Sequence, residues 1–528
     1  MNDFTSYDCY DKNQNGHKGW ELEAGDYTVT LRSDSHTMKL VGPADAQTEA
    51  SYVFDVSETI KITHDKYTEK PVGNLFTGED AIDAVPIDGK TADYDPQIPW
   101  LTRDGFMTLE EIKAARVARP VTPGANVSPL NSAYGEEWCK AWDNTTVDAF
   151  GNPVVNSPVT WGENNGLKVA ENGVITEFGE KLGADFNAPE WDQLLNQLTI
   201  EDAEKMVSNY YGTKAIDSIG KPKLDDLDGP AQIKGFNYAP RGTGYPTMVI
   251  VASTWNQKLA YEFGQSFGDD MKAVGVYGLW GWAIDNHRSA FFSRNHESPS
   301  EDPILASYTI MNAVNGLHTR GRYCFIKHFA IYDCGANSPK DTSYWLTEQS
   351  LRETQLRGFY KPIVIAGALG VMTAYRGPGA SAAENTEAML VGVLRNEWNF
   401  QGSITTDYTG TNTGPHCEYI VRVGGDLGMG NKLHPTGWTY DSRTSLRYQN
   451  RLREAAHEIL YTWLHADYLE KQYLENPDES DVLISSTSMS SWEWWRPAVD
   501  SINVFVTMTL SIWGVFTIVD LFDPRKRM

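Results

Sequence analysis

Cysteine is sparse and scattered: five occur in 528 residues, Cys9, Cys139, Cys324, Cys334 and Cys417. With no CxxC pair and no metal-ligand spacing, neither a disulfide framework nor a zinc site is indicated. No metal and no cofactor is expected. Basic side chains are outnumbered, 45 Lys and Arg against 70 Asp and Glu, for a formal net charge of -25. Phosphate contact requires clustered cations, which excludes nucleic acid as a partner and favours an uncharged ligand. The opening Met1-Asn2-Asp3-Phe4 carries neither a basic n-region nor an apolar h-region, so no signal peptide is read there. His287 and His296 stand near acids without ligand spacing and read as hydrogen-bonded structural groups. No internal repeat of fixed period is found. Aromatics are plentiful, at 12% with 17 Trp; their faces grip sugar rings, although Trp is at least as often core material.

Long apolar runs are absent until the C-terminus. Ser501 to Val519 gives 19 residues without a charged side chain, long enough at about 1.5 Å per residue to cross a bilayer's hydrocarbon core. Trp492, Trp494 and Trp495 precede it as an interfacial belt and Arg525-Lys526-Arg527 follow. One transmembrane helix is therefore expected over 501–520, with the C-terminus cytoplasmic and the bulk of a membrane-anchored chain extracytoplasmic. Export of that bulk calls for a signal upstream of Met1.

Trp20 to Leu31 reads as two short runs around a Gly25-Asp26 turn, a β-hairpin belonging to a larger sheet. From 43 to 185 the chain is rich in Pro, Gly, Asp, Asn and Thr and is expected to be an irregular wrapping segment, with one helix at the Thr108-Leu109-Glu110-Glu111 capping box. A second capping box, Thr199-Ile200-Glu201-Asp202, starts a helix through Met206, with Trp191, Leu194 and Leu195 ahead of it as an apolar face.

Beyond it strands and helices alternate. Arg322 to Ile326 is an apolar strand delivering Lys327 and His328; Leu351 to Tyr360 is a helix; Gly370 to Tyr375 is a strand. Leu390 to Trp398 has helical spacing, Gly402 breaks the chain, and Ser403-Ile404-Thr405-Thr406 is a strand ending at Asp407. Ionisable residues at successive strand ends are how a parallel βα barrel places its chemistry. An isolated Asp at a strand end would by default cap the next helix.

In order along the chain stand Leu227-Asp228-Gly229-Pro230, Thr254-Trp255-Asn256, Asn286-His287-Arg288-Ser289, Arg294-Asn295 with Ser300-Glu301-Asp302-Pro303, Lys327-His328-Phe329-Ala330, Met372-Thr373-Ala374-Tyr375, Leu394-Arg395-Asn396-Glu397-Trp398 and Thr406-Asp407-Tyr408. Together they resemble glycoside hydrolase family 3. The resemblance implies an α/β fold: a (β/α)8 TIM-type barrel over 186–470, preceded by terminal strands of a fibronectin-III-like domain over 1–42 and the wrapping segment 43–185. A linker over 471–500 and the transmembrane helix follow.

It implies a retaining, exo-acting β-glycosidase taking a β-linked oligosaccharide or glycoside. Such an enzyme needs two carboxyl groups about 5 Å apart. Asp407 would be the nucleophile. Asp228, Arg294, Lys327 and His328 would hold the sugar hydroxyls by paired acceptors and donors, Tyr375 would hydrogen-bond the nucleophile and Tyr408 would form an aromatic wall. The bland alternative for Arg294 and Lys327 is an ion pair with Glu297 or Glu301. The proton donor usually comes from a separate α/β domain, and the order of elements resembles a rearranged form in which that domain would lie upstream of Met1.

Asp333 to Ser338 lacks the His-Asp dyad of the N-acetylhexosaminidase type, and Cys334-Gly335, Ser338, Arg376-Gly377-Pro378 and Tyr408 depart from common family residues. The alternatives are a β-xylosidase of the same family and a catalytically impaired, membrane-tethered sugar-binding fragment. A barrel acting on phosphorylated metabolites is disfavoured for want of a Gly-rich phosphate loop.

Overall fold

The computed structural model describes residues 3–33, 37–43, 45–76, 136–209, 211–235, 238–288, 290, 292–333, 346–375, 377, 386–408, 417–430 and 439–477. The chain divides into two compact units, 1–470 and 471–528. In the second, the described residues are the end of a helix running Leu446–Glu475 and two residues beyond it.

Strands β1 (Ser6–Asp8), β2 (Gly19–Leu22), β3 (Gly25–Thr30), β4 (Leu40–Val41), β5 (Thr48–Glu49), β6 (Ser51–Val56) and β7 (Ile60–Ile62) open the first unit. The hairpin expected across Gly25-Asp26 does not form. β2 pairs instead with β1 and β7, whereas β3 pairs with β6 in a separate ribbon. Burial separates the two runs: β2 is buried throughout, with Trp20 in a small core beside Tyr7, whereas β3 is largely exposed. An apolar run next to a half-polar one finds its partner by burial rather than by proximity in sequence.

The segment expected to be irregular contains β5 to β7, a helix at Glu136–Asp143 and the hairpin of β8 (Ala170–Glu171) and β9 (Val174–Ile175). The helix expected at Thr108 lies outside the described residues. The Thr199 capping box forms as expected: its side chain accepts from the Asp202 amide and the helix runs Ile200–Val207.

That helix leads into β10 (Ser208–Asn209), followed by β11 (Asp226–Asp228), β12 (Ile233–Gly235), β13 (Tyr238–Arg241), β14 (Gly278–Trp280), β15 (Tyr323–Phe329), β16 (Gly370–Thr373), β17 (Ser403–Thr405) and β18 (Gly428–Met429). β11, β14, β15, β16 and β17 pair in parallel in that order. A parallel Thr405–Leu427 bridge and the β18–β10 pair continue the ring. It closes through an antiparallel Thr213–Leu224 bridge and the Tyr211 carbonyl, which accepts from the Asp226 amide. β12 and β13 form an antiparallel extension on β11.

Among the described residues the ring thus has seven strands, β10, β11 and β14 to β18, where eight were expected. The reason is local. After β10 the chain forms a hairpin with the approach to β11, and among the described residues between them only a single 3-10 turn, Asp217–Ile219, intervenes, with no α-helix to make a parallel βαβ unit.

Side-chain alternation sorts the core. Cys324 and Ile326 of β15 join Leu227, Leu279, Val371 and Ile404 against the helices Gln257–Val274 and Pro303–His318, while Tyr323 and Phe325 join Trp280 and Met372 on the opposite face. Period two therefore puts Lys327 on the face of Tyr323 and Phe325.

Among the described residues no helix is long and apolar enough to cross a membrane. The long helix Leu446–Glu475 carries Arg447, Arg451, Arg453, Glu454 and Glu458 and is amphipathic instead. The transmembrane helix expected over 501–520 lies outside the described residues, and the membrane anchoring, orientation and localisation built on it are withdrawn. Uncharged length, the Trp cluster and the terminal basic triplet carried that expectation, and Thr507, Thr509 and Ser511 soften the run's hydrophobicity.

Candidate active site

The strand ends on one side of the ring bring five of the expected residues together. Asp228 closes β11, and its Oδ1 accepts from the Lys327 Nζ at 2.8 Å and from the Gly229 amide at 2.9 Å. Lys327 is 3% exposed and Asp228 34%. Burial pushes the Asp228 carboxyl up, but Lys327, the Gly229 amide and Arg294 together hold it below its ordinary value. This pair sits one layer above another, in which the Tyr323 hydroxyl donates to Asp226 Oδ1 at 2.9 Å. Stacked inward layers are the natural filling of such a barrel.

In a regular strand His328 would face the helices with Ile326. The β15–β16 register shifts between Ile326 and Phe329, which re-aims the side chain toward the strand ends. Its Nε2 lies 3.7 Å from Asp407 Oδ2, and its Nδ1 lies 2.8 Å from Asp285 Oδ2. Asp407 follows β17 by two residues, its side chain is 14% exposed, and its Oδ1 accepts from the Tyr408 amide at 2.6 Å.

Arg294 is held by Glu297 through two hydrogen bonds, Nε to Oε1 at 2.8 Å and an Nη to Oε2 at 2.7 Å, and its guanidinium lies 5.4 Å from the Tyr332 ring centre. The ion pair weighed as the bland alternative is therefore present for Arg294, while Lys327 pairs with Asp228 rather than with Glu297 or Glu301. Arg294 still faces the site electrostatically, acting on Asp228, Asp285 and His328 alike. Tyr375 packs with Phe292, Tyr332 and Ala374. Tyr408 packs against the core face that carries Trp280 and Phe325. His287 meets the Ser298 carbonyl at 3.0 Å. Among the described residues no His, Cys, Asp and Glu group could hold a metal ion.

Two residues escaped the sequence reading. Glu297 was seen only as a structural partner for Arg294. Asp285 was passed over although it adjoins the Asn286-His287-Arg288-Ser289 motif. A parallel Ala283–Lys327 bridge extends the β14–β15 pairing and sets Asp285 beside His328, where Oδ1 accepts from the His328 amide at 3.1 Å and both side chains are 1% exposed. Burial pushes its carboxyl up to about 8, against the pull of Arg294.

The ring thus carries carboxylates and cationic donors at its strand ends, where a TIM-type barrel places its chemistry. The model of the Glycosyl hydrolase family 3 N terminal domain matches residues 214–417 of this chain. The chain is 29% identical over 243 residues to a beta-glucosidase of Rhizobium radiobacter, covering 45% of this chain and 29% of that protein. It is 30% identical over 255 residues to Beta-glucosidase B of Emericella nidulans, covering 47% of this chain and 29% of that protein. The chain thus matches less than a third of the length of these curated relatives. Among solved structures, a beta-glucosidase from Paenibacillus barengoltzii superposes with a TM-score of 0.60 at 20% identity, over 88% of this chain and 47% of that one. That likeness concerns the fold.

Proposed function

We propose that this chain carries the nucleophile and sugar-holding subsite of a retaining, exo-acting β-glycosidase of the β-glucosidase type. The observation that carries the reading is the joining of Asp228, Lys327, His328 and Asp407 at the ends of β11, β15 and β17. Asp407 attacks the anomeric carbon as the bond to the leaving oxygen breaks, forming a glycosyl ester that water then hydrolyses. Asp228 accepts from sugar hydroxyls and Lys327 donates to them. The Tyr408 amide fixes the attacking carboxylate, and Tyr375 and Tyr408 border the ring. Beta-glucosidase is also what both curated relatives are called.

No described residue is assigned the proton-donating role, so a substrate with an activated leaving group is the proper probe. Dinitrophenyl 2-fluoro-β-glucoside should label the chain stoichiometrically, with the modified peptide containing Asp407. Label elsewhere, or none with either the glucoside or the corresponding xyloside, refutes the assignment. Preference for the xyloside would move the substrate to β-xylosides and leave the mechanism standing.

A further inference from the structure

The imidazole of His328 lies between two carboxyl groups, Asp285 Oδ2 at 2.8 Å from Nδ1 and Asp407 Oδ2 at 3.7 Å from Nε2. We propose that Asp285 is a positioning residue: it holds a proton against His328 Nδ1 and so fixes the imidazole with its Nε2–H facing Asp407 and the sugar beside it. The inference rests on the reading of Asp407 as nucleophile.

Three arrangements of the protons are open to this geometry. If Asp285 were ionised and Nδ1 protonated on a neutral ring, the Nε2 lone pair would face the Asp407 carboxylate, which is repulsive. If the ring were an imidazolium, a third cation would be buried beside Arg294 and Lys327, with Asp228, Glu297, Asp285 and Asp407 as counter-charges. Burial first, and then Arg294 and Lys327, oppose it and hold His328 well below its ordinary value. The remaining arrangement places the proton on Asp285 Oδ2. Asp285 Oδ1 then accepts from the His328 amide at 3.1 Å while Oδ2 donates to Nδ1. The Tyr332 ring, 4.6 Å from the imidazole, closes its face.

The arrangement makes a pH-dependent statement. Above about 8 Asp285 loses its proton, the ring proton moves to Nδ1, and Nε2 presents a lone pair to Asp407. In Asp285→Asn, Oδ1 takes the His328 amide and Nδ2 donates to Nδ1 at every pH. In Asp285→Ala the carboxyl partner of Nδ1 is lost.

The test is long-range 1H–15N NMR of the full chain labelled with 15N-histidine, with His328→Gln to assign the signal. At pH about 7 the wild type and Asp285→Asn should both show the neutral Nε2–H tautomer; at pH about 9 only the wild type should convert to Nδ1–H. An Nδ1–H tautomer or an imidazolium in the wild type at pH about 7 overturns the proposal, whatever the chain's activity. With dinitrophenyl β-glucoside, Asp285→Ala should lose about 10- to 100-fold in kcat/KM, and Asp285→Asn should rescue most of that loss and abolish the decline between pH about 7 and 9. Equal losses in the two variants overturn it. Failure of the wild type to take the dinitrophenyl 2-fluoro-β-glucoside label at Asp407 refutes the nucleophile reading and leaves the tautomer result to decide the position of the proton.

Discussion

Replacing Arg422 by methionine removes the cation at the centre of a buried cluster behind the active-site strands. Arg422 is 0% exposed; its Nε and one Nη meet the two Asp143 oxygens at 2.9 and 2.8 Å. The Nη that meets Asp143 also donates to Ser442 Oγ at 2.9 Å, and the other Nη donates to the Glu418 carbonyl at 2.7 Å and lies 3.4 Å from Glu418 Oε2. The side chains of Asp143 and Glu418 are 2% and 0% exposed, so water cannot replace the guanidinium. The Tyr440 hydroxyl would still donate to Asp143 and the Ser442 hydroxyl to Glu418, but two carboxylates would have lost their guanidinium.

Breaking a buried pair by removing one partner costs about 3–5 kcal/mol, whereas removing every charge together costs far less. Arg422→Met should therefore lose about 3–5 kcal/mol in urea unfolding followed by tryptophan fluorescence, and the triple variant with Asp143→Asn and Glu418→Gln should recover at least about half of it. A single variant within about 1 kcal/mol of wild type refutes the reasoning, as does a triple variant no more stable than the single. Because Arg422 ends the helix Cys417–Arg422, which follows Asp407 in the chain and is pinned by it to the helix Glu136–Asp143, the single variant should also lose activity at lower temperature than wild type.

Lys327→Met deletes a cation hydrogen-bonded to Asp228 and should cut kcat/KM on an activated β-glucoside by roughly 10- to 150-fold, the value of one charge-assisted bond of about 1.5–3 kcal/mol; a change below about 3-fold removes Lys327 from the subsite. Gly229 has φ +137, and a Cβ there would lie 1.7 Å from the Gln232 carbonyl oxygen, so Gly229→Ala should shift the turn after Asp228 and cost about 10-fold or more in kcat/KM; unchanged kinetics would show that the turn does not set the position of Asp228. His318 is held down to about 3, by burial first and then by His465. The unfolded chain takes up that proton below about 6.5 and the folded one does not, so stability falls with pH by about 1.4 kcal/mol per unit between those values. His318→Asn should reduce the loss of stability between pH about 7 and 5 by about 2 kcal/mol, and an identical loss in wild type and variant would refute it.

Asp407, Lys327 and His328 were legible because each follows a strand whose apolar pattern is local, and a strand end marks itself by the change from apolar to polar; Asp228 was nominated by the family resemblance alone. The Thr199 cap was legible for a similar reason, since a capping box spans four residues. Arg294 was legible as a residue but not as a charge state of the site: that depends on Glu297, one helical turn away and equally readable as surface.

The run of residues from Asp226 to Asp407 thus determined by itself that strands and helices alternate, and which ionisable groups stand at the strand ends, because hydrophobic periodicity and turn residues act over a few positions at a time. Three features had to wait for tertiary structure. β2 and β3 chose different partners, the ring closed on seven described strands through an antiparallel bridge, and Asp285 came to lie against His328, 43 residues later in the chain. Each is a pairing between distant segments, set by which faces can be buried together, and no short-range pattern records it.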